Sequence, residues 1–162
     1  MVISVTGHRP SKMPTPYGYD ITNESWTELK EKFKKLLIEK QCTEAITGMA
    51  LGVDTVFALA VIELKDAGYN IKLHSAIPCR NQEKTWKIED QLLYGYILSR
   101  AETIKLVSDR EYKAYLMQIR NEYMVDNSDE LIAVWNGEKK GGTYNCIAYA
   151  EMQGKKINYI LV

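Results

Sequence analysis

The chain reads as an α/β protein of the Rossmann-like, doubly wound kind, a mainly parallel sheet with helices on both faces. Three observations predict this. Six short apolar runs recur along the chain, the segments between them carry apolar residues at helical spacing, and glycines cluster where a run gives way to a helix. Near-continuous apolar content suits strands buried on both faces, and alternating strand and helix implies βαβ units. In such sheets ligands sit beyond the carboxyl ends of the strands, so function is expected in the residues that follow each run.

The first run, Val2–Thr6, leads into Thr6-Gly7-His8-Arg9-Pro10. Gly7 permits a tight turn or a close backbone approach. His8 and Arg9 set a titratable ring and a fixed cation at a ligand mouth. A helix follows on Trp26, Leu29, Phe33, Leu36 and Leu37, with Lys30, Lys32, Lys34 and Lys35 on its solvated face. The second run, Glu44–Thr47, continues into Gly48-Met49-Ala50-Leu51-Gly52-Val53-Asp54 and a helix from about Gly52 to Ala67, with Gly68 as its C′ residue. Two glycines before a helix N-terminus suit a phosphate or carboxylate, although the pattern is neither G-x-G-x-x-G nor a P-loop. Asp54 either caps the helix or accepts hydrogen bonds from a ribose; spacing does not separate the two.

The third run, Ile71–Ile77, holds His74 as a core residue and ends in Pro78-Cys79-Arg80-Asn81-Gln82. Cys79, near a helix N-terminus, is either a structural thiol or a nucleophile with a lowered pKa paired to His8. Gln82 and Arg80 are candidate ligand contacts, and Trp86 reads as helix packing. The third helix is predicted from Asn81 as N-cap to about Arg100. After Thr103–Val107, Ser108 and Glu111 stand at capping-box spacing for a fourth helix with Leu116, Ile119 and Tyr123 on its apolar stripe. Arg120 lies beside that stripe with Met117 and Met124. A guanidinium so placed needs a partner, either Asp126 or Asp129 or a ligand phosphate. The fifth run, Glu130–Trp135, passes through Asn136-Gly137 to Gly141-Gly142-Thr143-Tyr144-Asn145, where a fifth helix starts near Thr143 and ends before Gly154; Ile157–Val162 completes the sheet.

Composition narrows the class. The chain has 162 residues, the size of one domain spanning 1–162. Its 21 Lys+Arg balance 21 Asp+Glu, so a nucleic acid or an anionic membrane is not expected among its partners, since each calls for a positive excess. Three cysteines without metal-ligand spacing suggest neither a disulfide framework nor a metal site and point to a reducing cytoplasm. No signal peptide, membrane span or cofactor signature is read from the sequence. The 11 Tyr and 3 Trp offer anchors for self-association into a dimer or higher homo-oligomer.

As an ordered set, Thr6-Gly7-His8-Arg9-Pro10, Gly48 through Asp54, Ile77-Pro78-Cys79 with Gln82 and Trp86, Arg120-Asn121 through Ser128-Asp129, and Trp135-Asn136-Gly137 with Gly141-Gly142-Thr143 resemble the YpsA-like (DUF1273) branch of the SLOG superfamily. That superfamily includes LOG-type phosphoribohydrolases, DprA-like DNA-binding proteins and sensor domains for NAD-derived signals. The resemblance implies a Rossmann-like fold and a nucleotide-derived ligand in the strand-end crevice. LOG-type enzymes carry an arginine soon followed by Met and Ser/Ala-Asp, matched here by Arg120, Met124, Ser128 and Asp129. Their glycine-rich signature ends in Gly-Thr, matched by Gly142-Thr143, but its glutamates are absent. Asn145 stands in that stretch and can bond a ribose but cannot act as a carboxylate. Asp54 or Glu151 would have to substitute. The resulting expectation is a protein that binds, and senses or sequesters, a nucleotide, ADP-ribose or NAD-type metabolite; the alternative is an N-glycosidic hydrolase of such compounds. The expected ligand contacts are Gly7, His8, Arg9, Gly48, Gly52, Asp54, Cys79, Gln82, Arg120, Asn136, Gly141, Gly142, Thr143 and Asn145.

Overall fold

A computed structural model describes all residues from Met1 to Val162. In chain order the elements are β1 (Val2–Gly7), a short 3-10 turn (Pro10–Lys12), α1 (Glu24–Glu39), β2 (Glu44–Thr47), α2 (Val53–Asp66), β3 (Lys72–Ile77), α3 (Ile88–Arg100), β4 (Thr103–Leu106), α4 (Ala114–Asp126), β5 (Glu130–Trp135), α5 (Gly142–Met152) and β6 (Lys156–Leu161). All six strands join one sheet in the order β4-β3-β2-β1-β5-β6, and every pairing is parallel. The fold is therefore the Rossmann-like α/β sheet expected. The chain winds outward from β1 to β4, then returns to lay β5 against the other side of β1. The winding reverses between β1 and β5, where an open α/β sheet leaves a crevice.

The faces separate by strand alternation. Ile3 and Val5 of β1, Ala45 of β2 and Ile132 and Val134 of β5 point into the main core with Trp26, Phe33 and Phe57 of α1 and α2. On the opposite face Leu131 meets Val125, Cys146 and Ala150 of α4 and α5, and Ile46 meets Ala76 and Met124. Phe33 and Phe57 cross edge-to-face at 5.3 Å, a favourable arrangement of ring quadrupoles that locks α1 onto α2.

Five local expectations are corrected. The third helix begins at Ile88, not Asn81, because Asn81 takes a left-handed conformation (φ 56°) that ends regular structure. The fourth begins at Ala114, because the Ser108 hydroxyl accepts the Arg110 N–H and closes a turn of its own. Its buried face runs through Leu116, Arg120 and Met124, leaving Ile119 43% exposed. The fourth strand is not buried on both faces: all its residues are exposed, since it is a sheet edge. His74 is half-buried, not core; its ring bonds Glu44 Oε1 at 3.0 Å and Thr103 Oγ1 at 2.7 Å across neighbouring strands.

The crossing of β1 over the start of α2 is tight. A Cβ on Gly7 would fall 2.4 Å from Val53 Cγ1, and Val53 is fully buried. Gly7→Ala should therefore lower unfolding stability by about 1–3 kcal/mol, the usual range for overpacking. A urea-unfolding midpoint equal to that of the wild type would show that the crossing has slack.

Candidate functional site

At the β1/β5 reversal the structure opens a crevice of about 460 Å³. Nine expected residues line it: Gly7, His8, Arg9, Asp54, Arg120, Gly141, Gly142, Thr143 and Asn145. Sequence reasoning missed Ser11, Lys12, Tyr112, Gln118, Asn121, Glu138 and Lys140, which also line it. Lys12 follows the first expected turn by two residues, and Asn121 adjoins Arg120, so proximity to known positions was the available signal. Tyr112 and Gln118 carried none.

Gly48 and Gly52 stand behind the wall. A Cβ on Gly48 would lie 2.5 Å from Arg120 Nη1, and Gly52 (φ 90°) passes beneath the His8 carbonyl. Both serve close packing of the chain against itself. Cys79 is fully buried and lines no part of the crevice. Burial pushes its thiol up, the opposite of an activated nucleophile, so the Cys79–His8 pairing has no support. Gln82 lies in an adjoining cavity. Glu151 is exposed and accepts the Tyr159 hydroxyl, which leaves Asp54 as the expected acid present in the crevice.

Arg120 is 5% exposed. Its Nε–H donates to Asn121 Oδ1 at 3.0 Å, Nη1 to the Gly48 carbonyl, and Nη2 to the Met117 thioether at 3.8 Å. Neither expected carboxylate partner reaches it: Asp126 accepts the Tyr149 hydroxyl and Asp129 the Val2 N–H. No carboxylate lies within ion-pair distance of it. A guanidinium has five N–H donors, so part of the fork remains unspent beside the crevice. Burial lowers Arg120 and raises Asp54, while each charge acts on the other in the opposing, stabilising sense. Asp54 Oδ2 also accepts the Ala50 N–H at 3.1 Å.

His8 links the two sides of the reversal. The Asn136 N–H donates to Nε2 at 3.1 Å, so the ring proton sits on Nδ1, 3.4 Å from Thr143 Oγ1. Nδ1–H then donates to Thr143, and the Thr143 hydroxyl is left to donate into the crevice. Burial holds His8 below the ordinary imidazole range, and the Lys12 charge acts in the same direction. The loop that supplies Asn136 is fixed by Trp135 Nε1–H donating to the Glu138 carbonyl and by the Glu138 N–H donating to Asn136 Oδ1. Beyond it, Gly141 (φ 92°) starts α5 without a side-chain cap, so the first N–H groups of α5 face the crevice with the positive end of the helix.

Comparison with known proteins agrees with this architecture. A model of the YspA SLOG family matches residues 3–162. The chain belongs to that family. The Bacillus subtilis (strain 168) protein YoqJ, described as an uncharacterized SPbeta prophage-derived protein, is 33% identical over 144 residues, covering 80% of this chain and 84% of its own. A UPF0398 protein of Bacillus cereus (strain B4264) is 29% identical over 163 residues, covering 98% of this chain and 86% of its own. Among solved structures, DNA processing protein A (DprA) of Streptococcus pneumoniae superposes on 99% of this chain with a TM-score of 0.68 at 14% identity. Helicobacter pylori DprA superposes on 98% with a TM-score of 0.62 at 19% identity. The chain spans about half the length of the first and 64% of the second, and at these identities the likeness is one of fold.

The second of these structures describes a single-stranded DNA binding mode for its protein. That overturns the expectation that nucleic acid lies outside the partners of this SLOG chain. The net charge of zero was counted over the whole chain, whereas binding answers to the local field, and the cations Arg9, Lys12, Arg120 and Lys140 gather at the crevice against Asp54 and Glu138. No helix is long and apolar enough to cross a membrane.

Because the fold holds His8 below its ordinary value of 6.5, the native state binds fewer protons than the unfolded chain in mild acid. This contribution to stability is complete above the unfolded value and is lost as pH falls through the folded one. Unfolding free energy should therefore drop between about pH 8 and about pH 5 by more in the wild type than in His8→Gln. Equal drops in urea titrations of the two proteins would remove His8 as the cause.

Proposed function

We propose that the crevice binds the phosphate of a nucleotide-type ligand and holds the ligand without turnover, as a sensor or sequestering protein would. One observation carries this reading: Arg120 is a buried cation with unspent donors and no carboxylate at ion-pair distance. A buried cation without a direct ion pair is costly, and an anion in the crevice offsets that cost. A phosphate there meets the guanidinium fork, the Thr143 hydroxyl and the uncapped start of α5, which together suit its oxygens. Asn145, one turn into α5, lines the crevice, and its amide suits a ribose hydroxyl. The same cations suit phosphates of single-stranded DNA, the ligand described for Helicobacter pylori DprA.

Calorimetric titration with AMP tests the reading. Arg9→Ala should weaken binding by about tenfold or more, the scale of a charge-assisted hydrogen bond, and Thr143→Val by about two- to tenfold. No binding of AMP, ADP-ribose or NAD at about millimolar concentration, far weaker than one good phosphate site provides, would sink the proposal.

A specific observation favours a second reading, N-glycosidic hydrolysis. Asp54 is a buried carboxyl in the crevice, pushed up by burial, as a general acid must be. Release of free base from AMP or NAD, abolished by Asp54→Asn with binding retained, would select this reading; recovery of intact ligand from the complex selects binding alone.

A further inference from the structure

A second cavity of about 390 Å³ adjoins the crevice. Arg9, Tyr112 and Met117 line both, so the two are lobes of one cleft with a shared wall. The second lobe is made by the turns that follow β3 and by the segment before α4. These are tied together where the Arg80 N–H donates to the Arg110 carbonyl at 2.9 Å and residue 80 pairs with Glu111. Because α3 starts only at Ile88, residues 81–87 form turns that wall this lobe.

The chemistry of this lobe differs from that of the crevice. It presents two rings, Trp86 and Tyr112, and three cations, Arg9, Arg80 and Lys84, against the single carboxylate of Glu111. None of the three cations enters an ion pair. Trp86 is braced by Tyr94, edge-on at 5.4 Å, so its orientation is set before any ligand arrives. Tyr112 is 56% exposed. Rings beside unpartnered cations are what a base followed by a phosphate requires, because every base offers a π-face and every linkage a negative charge. The crevice itself has, besides the hydrogen-bonded imidazole of His8, only the shared ring of Tyr112. Across both lobes Arg9, Lys12, Arg80, Lys84, Arg120 and Lys140 face Asp54, Glu111 and Glu138, a positive excess in a chain whose charges otherwise cancel.

We propose that the second lobe is a subsite for the second unit of a phosphate-linked dinucleotide, its base against Trp86 and Tyr112 and its linking phosphate at Arg80 and Lys84. This rests on the reading of the crevice as a nucleotide site and adds the size of the ligand to it. The unit can come from a free dinucleotide or from two successive nucleotides of a single strand.

The experiment titrates the full chain calorimetrically with AMP, with the 5′-phosphorylated dinucleotide pApA, and with a twelve-nucleotide oligo(dA). The dinucleotide should bind about tenfold tighter than AMP, as one stacked base allows. Trp86→Ala should return it to the affinity of AMP while AMP binding stays as in the wild type. Arg80→Ala with Lys84→Ala, both on exposed side chains, should act in the same direction and keeps the test valid if Trp86→Ala does not fold. A dinucleotide no tighter than AMP, or variants that weaken both ligands equally, overturns the subsite. Absence of AMP binding with Trp86-dependent dinucleotide binding overturns the crevice reading alone; absence of both overturns both. Oligo(dA) tighter than pApA, with the gain lost as salt rises, makes a single strand the source; equal affinities make it a free dinucleotide. Both of these support the subsite.

Discussion

The arrangement of the strand-end site depends on one buried cation. Arg120 comes from α4, yet its guanidinium is bonded to the Gly48 carbonyl at the end of β2, so it ties one face of the sheet to the turn that starts α2. A Cβ at Gly48 would lie 2.5 Å from Arg120 Nη1, so a side chain there would have to displace the guanidinium. Asn121 and Met117 take two more donor directions. Desolvation then works on Arg120 and Asp54 together, raising the carboxyl and lowering the guanidinium, with each charge tempering the other. The crevice inherits from this a fixed positive wall and a buried carboxyl held above its ordinary range.

A second constraint orders the protons across the reversal. A backbone N–H from the loop after β5 fills His8 Nε2, and the ring passes its remaining proton toward Thr143. Burial and Lys12 both disfavour a second proton on the ring. With a protonated ring the direction of donation to Thr143 would be the same, but the lone pair that receives the Asn136 N–H would be gone, and the loop that leads to α5 would lose its anchor on β1. The neutral histidine thus connects fold integrity to the donor geometry of the site.

Much of this was legible in the amino-acid sequence. Six apolar runs became six parallel strands, and Gly68 took the left-handed conformation that a helix C′ position asks for. Errors fell where a local signal competed with another local signal. Asn81 can cap a helix or turn the chain, and Ser108 can open a capping box or close its own turn; both choices went to the turn, and a wall of the second lobe followed from one of them. The fourth strand looked like its neighbours because the sequence does not mark which strand ends at an edge.

The sequence by itself determined the alternation of strands and helices, the family, and the polar residues that follow β1 and β5, because periodicity and turn chemistry are properties of adjacent residues. The tertiary structure decided what those residues do. It turned Gly48 and Gly52 into packing surfaces, moved Cys79 out of reach, gave Arg120 a carbonyl in place of a carboxylate, and gathered six cations from four parts of the chain into one cleft. Each of these depends on strand order, on β5 returning to lie beside β1, and no local pattern along the chain encodes which strand becomes the neighbour of which.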